Sequence, residues 1–170
     1  YYYRRADGWM PKDEEGQIDY ESPEIIDMPL LRQHLEMMAD CKPVEMPTFD
    51  FAGQRRGDKT IPVHRKPGEI IVMEGIHALN PELTQHISDA DKYKIYVSAL
   101  TSIMLDRHNY IPTTDNRLLR RILRDYKYRG YSAEETISRW PSVRKGEERW
   151  IFPYQENADV MVNTSLFYEL

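Results

Sequence analysis

The chain is 170 residues long, the length of a single domain. Its 41% hydrophobic and 30% charged residues suffice for one core and exclude wholesale disorder. A net charge of −5, one cysteine and no apolar run near the ~18 residues of a membrane helix exclude three classes: a generally basic nucleic-acid binder, a disulfide or cysteine-rich zinc scaffold, and a membrane-spanning chain.

The first 24 residues are polar and punctuated by Asp7-Gly8, Met10-Pro11 and Glu15-Gly16, and they read as a loop or flap. The start Tyr1-Tyr2-Tyr3-Arg4-Arg5 carries neither a secretory signal nor a methionine. It therefore reads as part of something longer, and the reducing cytosol is the expected compartment. Leu30, Leu31, His34, Leu35, Met37 and Met38 recur at helical spacing. Asp27 is placed to cap that helix, Pro29 is tolerated in its first turn, and Pro43 is expected to end it. Val44–Phe51 reads as extended, with Pro47 pointing to an edge or a loop entry. A basic connection follows from Gly53 to Gly68, with a β-like stretch at Thr60–Val63.

Ile70–Met73 is apolar without alternation and rich in β-branched residues, the pattern of a strand buried on both faces of a parallel sheet. It stops at Glu74-Gly75. Asn80-Pro81 opens a short helix or turn. Tyr93–Ala99 and Asp159–Asn163 read as two further strands with helices between them. The expected fold is α/β, a parallel sheet flanked by helices.

Between those strands lies the most informative helix, Asn116 to Arg129. Arg117, Arg120, Arg121 and Arg124 fall within about 100° of one another on its wheel. Leu118, Leu119, Ile122, Leu123 and Tyr126 fill the opposite arc. Thr114 or Asp115 is expected to cap the start, and Gly130 suits the stop. Four arginines with no lysine, and only Asp125 as a carboxylate neighbour, favour phosphate over a salt-bridged solvent face. Guanidinium forks give the planar bidentate contact that phosphate takes. Ser132-Ala133-Glu134-Glu135 is a capping box that starts another helix toward Trp140.

Glu74 is the second candidate. Ligands gather at the carboxyl ends of strands in open α/β sheets, and a carboxylate there can hold Mg²⁺ together with water and substrate phosphates. No phosphate-cradling P-loop is present. Gly53-Gln54-Arg55-Arg56-Gly57-Asp58-Lys59-Thr60 has its glycines one residue too close and leads into Ile61-Pro62-Val63, which does not start a helix. It is expected to form a hairpin-like loop. The five histidines lack zinc-ligand spacing, and none is assigned a catalytic role.

Four segments together resemble a known family. They are Pro47-Thr48-Phe49-Asp50-Phe51, Ile70-Ile71-Val72-Met73-Glu74-Gly75-Ile76, Asp115-Asn116-Arg117-Leu118-Leu119-Arg120-Arg121-Ile122-Leu123-Arg124-Asp125, and Ala158-Asp159-Val160. In order and spacing they are similar to uridine kinases, within the uridine kinase and phosphoribulokinase group of P-loop kinases. The resemblance implies a P-loop NTPase-like parallel sheet with an arginine-bearing lid helix. It also implies that residues 1–170 are one partial kinase module, whose P-loop strand and helix lie upstream.

By the same resemblance Glu74 is the Mg²⁺ carboxylate, and Arg117, Arg120, Arg121 and Arg124 act on the ATP phosphates. Phe49 and Asp50 line the nucleoside pocket, and Tyr2 or Tyr3 is the substrate-side tyrosine. The aspartate that serves as base would fall just before Tyr1. Gln54 stands where uridine kinases place a base-reading histidine, and Phe49 replaces a tyrosine. Thr101–Thr113 is longer than usual. That length resembles bacterial uridine kinase-like proteins in which the kinase follows a region similar to part of threonyl-tRNA synthetase.

The implied activity is ATP- and Mg²⁺-dependent transfer of the γ-phosphoryl group to a hydroxyl of a nucleoside-like acceptor. An upstream domain of the same chain is the expected partner, with no membrane or nucleic-acid partner expected. The fragment alone is expected to be inactive. The alternative is a non-catalytic module on a degenerate kinase fold, binding RNA or another polyanion or serving assembly.

Overall fold

The computed structural model describes residues 9–50, 53, 55–100, 104 and 106–165. Helix α1 spans Met28–Ala39, and Asp27 caps it by accepting from Leu30 N at 3.3 Å. Its apolar face places Leu31, Leu35 and Met38 against Val44 and Leu83, with Ile26, Met46, Val63, Met73 and Ile87 around them. Each fully buried leucine contributes about 1.5–3 kcal/mol to that cluster.

Pro43 does not end α1. The helix stops at Ala39 in a Schellman turn, in which Cys41 N donates to Met38 O at 3.0 Å and Lys42 N to Met37 O at 2.8 Å. Cys41 takes the left-handed position at φ +56°, which is usually a glycine's. Arg65 completes the stop by donating to Met38 O and Ala39 O, each at 2.8 Å. A cation at a helix C-terminus also meets the negative end of the dipole.

Strands β1 (Val44–Asp50) and β2 (Arg55–Val63) form an antiparallel pair, with Val44 opposite Val63 and Asp50 opposite Arg55. Pro47 lies inside β1, opposite Thr60, rather than at a loop entry. A two-stranded sheet has only edges, so the missing N–H need not break a ladder. The basic stretch expected to be a hairpin-like loop is itself strand from Arg55 onward. Arg56 reaches back to the second oxygen of Asp27 at 2.8 Å, tying the pair to the start of α1.

The run Ile70–Met73 does not form the expected strand. Among the described residues it has no ladder partner, and Ile70 and Val72 are 87% and 86% exposed. Only Met73 packs on the α1 cluster. A strand apolar on both faces needs neighbours on both sides, and the described chain supplies one. After it comes α2 (Pro81–Thr84), the short helix expected to open at Asn80-Pro81, with the Asn80 side chain capping it.

β3 (Ile95–Ser98) and β4 (Val160–Asn163) pair in parallel from Ile95–Val160 to Ser98–Asn163. Asp159 accepts from Lys94 N at 2.6 Å, and Asn163 holds both Leu100 N and Leu100 O. These are the second and third expected strands, joined by a helical crossover. The fold is α/β, but its described strands form two small sheets, one antiparallel and one parallel, rather than one parallel sheet.

The crossover holds α3 (Thr113–Tyr128) and α4 (Ala133–Trp150). Pro112 precedes α3 and neither Thr114 nor Asp115 caps it, whereas Gly130 takes φ +72° just past its end. The capping box at Ser132 and Glu135 is present. α4 runs ten residues beyond Trp140, through Pro141.

The polar segment before α1 docks on α4. Lys145 pairs with Glu15 at 2.9 Å, and Trp150 Nε1 donates to Asp19 at 3.2 Å. Gly146 makes the approach feasible, because a Cβ there would overlap the side chain of Glu21.

Candidate functional site

α3 is turned opposite to the usual amphipathic helix. Its buried residues are Asn116 and Asp125, while Leu119 and Leu123 are 59% and 61% exposed. Three of the four arginines of the arc, Arg117, Arg121 and Arg124, meet carboxylates. Arg117 donates to Glu147 of α4, and Arg144 reaches the other oxygen of Glu147 at 3.0 Å. Arg121 lies 3.5 Å from Asp125 and 4.0 Å from Glu21, and Arg124 lies 2.9 Å from Asp125. Arg129 lies 3.6 Å from the same carboxylate. Arg120, on the same arc, is exposed.

The helix itself offers these arginines little beyond Asp125, in line with its sequence. Glu21 and Glu147 come from other segments and could not be read from local spacing. Five guanidinium groups, on Arg117, Arg121, Arg124, Arg129 and Arg144, meet four carboxylates, Glu21, Asp125, Glu147 and Glu148, and Asp19 lies close enough to act on Glu21. Positive and negative charges are nearly matched, and these pairs hold the guanidinium forks in place.

Glu21 was not singled out by its sequence. Burial pushes its carboxyl above the usual range, Arg121 opposes that push, and Glu147 and Asp19 add to it. His77 is also buried, and desolvation holds its pKa below the usual histidine value. The backbones of Glu21 and Trp150 and the Asp19 carboxylate act against that shift, which places His77 at the same junction. A signal existed in the sequence, since His77 follows Glu74 by three residues.

Glu74 is exposed, and its side chain makes no hydrogen bond or ion pair to a described residue. It borders a depression lined by Leu31, Leu83, Met73, Gly75 and His77. Among the described residues no cluster of three or more His, Cys, Asp or Glu side chains could cage a metal. A lone, unengaged carboxylate nonetheless fits Mg²⁺, which takes one or two protein ligands and completes its shell with water and phosphate.

Phe49 and Asp50 end β1. Asp50 accepts from Gly53 N at 3.0 Å and stands 3.8 Å from Arg55 Nε. With Thr48, Arg55, Gly57, Asp58 and Lys59 they line a second open depression. Arg55 is held there by Asp58 at 3.2 Å. Tyr2, Tyr3 and Gln54 lie outside the described residues.

Comparison with known proteins gives the chain its relatives. The sequence model of the Phosphoribulokinase / Uridine kinase family matches residues 10–166. The uridine kinases of Lactobacillus johnsonii and Lactobacillus helveticus are each 33% identical over 162 residues, 95% of this chain and 68% of theirs. The uridine kinase of Staphylococcus aureus is 33% identical over 162 residues, 95% of this chain and 70% of its own. With a family match over most of the chain, and relatives at this identity along nearly all of it, the chain belongs to the phosphoribulokinase and uridine kinase family.

Proposed function

We propose that this chain is the acceptor-and-lid portion of an ATP-dependent kinase that phosphorylates a hydroxyl of a nucleoside-like substrate. The observation that carries this reading is the arginine lattice of α3 and α4, in which Arg117, Arg121 and Arg124 are held in place by Glu147, Glu21 and Asp125 while staying partly exposed. Family membership supplies the reaction class.

Arg117, Arg120, Arg121 and Arg124 would bear on the phosphates, where positioning and charge neutralisation do most of the catalytic work. Glu74 would hold Mg²⁺, which when bound screens the charge between the terminal phosphates. The proton of the attacking hydroxyl would pass to the aspartate that the family resemblance places just before Tyr1. Phe49 offers a ring to stack on a base or sugar, and Asp50 a carboxylate for ribose hydroxyls. Gln54, with Tyr2 or Tyr3, would complete that pocket.

The module would be finished by a P-loop strand and helix from upstream. The exposed Ile70, Val72 and Val97 support that reading, since they are apolar residues left facing solvent, Val97 on β3 and the other two on the extended run before Glu74. No helix among the described residues is long and apolar enough to cross a membrane. The cytoplasm, the compartment that suits a chain with one cysteine, would be the site of action.

The test is ADP release by the protein carrying its upstream region, against a panel of nucleosides and sugar phosphates. Glu74→Gln should cut Mg²⁺-dependent turnover by roughly two orders of magnitude or more while the fold survives. Phe49→Ala and Asp50→Asn should raise KM for the acceptor far more than for ATP. Absence of ADP release with every acceptor, alongside arginine-dependent RNA binding, would replace the kinase by a polyanion-binding module.

A further inference from the structure

Glu147 is 1% exposed, and no other glutamate among the described residues is as deeply buried. A buried carboxylate is costly unless it is paired and hydrogen-bonded, and an apolar residue of similar size often serves stability as well or better. Its presence therefore asks for a role beyond packing. Its two oxygens are divided between two helices: one takes Arg117 of α3, the other takes Arg144 of α4 at 3.0 Å. Arg144 is fixed in turn by Glu148 at 3.1 Å and lies over the ring of Phe152 at 5.8 Å. Glu147 is thus a brace whose far end is anchored. The side chain it braces is about one-third exposed, whereas Glu147 itself is nearly sealed.

We propose that Glu147 is a positioning residue for phosphoryl transfer, holding the Arg117 guanidinium in a fixed orientation toward the phosphate-binding face of α3. The proposal rests on the reading of that face as the phosphate site. An arginine left free must lose rotamer entropy when it meets an anion, while a braced one has lost it on folding. A preorganised charge also needs no reorientation as charge develops in the transition state. Arg117 keeps about one-third of its side chain exposed while braced, so it can still meet an anion.

The experiment compares Glu147→Gln, Arg117→Ala and the double variant in the protein carrying its upstream region. ADP release is read with the acceptor selected by the panel, and rates are normalised to folded protein by thermal melting. Glu147→Gln should lower kcat by roughly tenfold or more, as removal of supporting hydrogen-bond partners does at other sites. The acceptor KM should stay within about twofold. The double variant should be no slower than Arg117→Ala alone, because the two side chains act as one unit. Glu147→Asp should restore part of the loss.

An unchanged kcat for Glu147→Gln beside an impaired Arg117→Ala would overturn the brace and leave the phosphate site standing. An unimpaired Arg117→Ala would overturn both. Should Glu147→Gln not fold, Arg144→Ala takes its place, since it releases the far end of the brace and leaves the carboxylate in position. A normal kcat per folded molecule in Arg144→Ala would then refute the proposal.

Discussion

Around α1 the chain buries apolar surface, and between α3 and α4 it buries charge. Leu31, Leu35, Met38, Val44 and Leu83 form a cluster that any amphipathic helix over a hairpin could make. Across the crossover the buried side chains are mostly polar, Asn116, Asp125, Thr136 and Glu147, with Val143 as the apolar exception, while Leu119 and Leu123 face solvent. The first region gains free energy as it folds. In the second, ion-pair attraction offsets desolvation, and little net stability results. A region built that way is better suited to presenting arginines than to holding the domain together. The comparison teaches that stability and the candidate chemistry reside in different parts of the molecule.

Three substitutions would break or sharpen that contrast. The largest effect is expected at Arg124, 2.9 Å from Asp125 and partly exposed. In the protein carrying its upstream region, Arg124→Ala should lower kcat by ~10³-fold, with the melting temperature nearly unchanged. Lysine should rescue only part, because it lacks the bidentate fork. Steady-state kinetics beside a thermal melt decides it. If the variant melts early and its folded fraction is fully active, the arginine is structural and the contrast fails.

Leu35→Ala should do the reverse. Leu35 is buried in the α1 cluster, and its truncation should cost about 2–5 kcal/mol. Denaturant unfolding reads the loss, while kcat per folded molecule should hold. A large fall in kcat without a loss of stability would mean that the α1 core shapes the site directly.

The smallest effect is expected at Cys41, the non-glycine residue at φ +56° that closes α1. Cys41→Gly should stabilise by up to about 1 kcal/mol, as relief of left-handed strain outweighs the added freedom of the unfolded chain. Arg65, which donates to Cys41 Sγ at 3.3 Å, keeps its carbonyl partners in the variant. A destabilised variant would show that the thiol contributes more to the helix stop than the backbone strain costs.

Local signals were read well at several places where chemistry acts over a few residues, though not at the start of α3, where the expected cap at Thr114 or Asp115 does not form. The Asp27 and Asn80 caps, the capping box at Ser132 and the glycine after α3 are all where their side chains and backbone freedom place them. The parallel pairing of β3 with β4 was legible too, since short apolar strands split by two helices leave few other topologies. Ile70–Met73 was misread because hydrophobicity states what a segment can bury, not whether neighbours arrive to bury it. The stop of α1 was misread because Arg65, more than twenty residues on, supplies part of the cap.

The sequence by itself determined the helix faces, the arginine arc and the family, because those depend on spacing along one chain. Tertiary structure alone decided which face of α3 turns inward. Wheel geometry sets arginines opposite leucines, and hydrophobicity alone would bury the leucines. The inward turn of the polar arc needs carboxylates that arrive from elsewhere, Glu21 from the segment before α1 and Glu147 from α4. Gly146 gives the Glu21 segment room to approach. Coulomb attraction between groups so far apart in sequence leaves no periodic trace, so only the folded chain could bring them together.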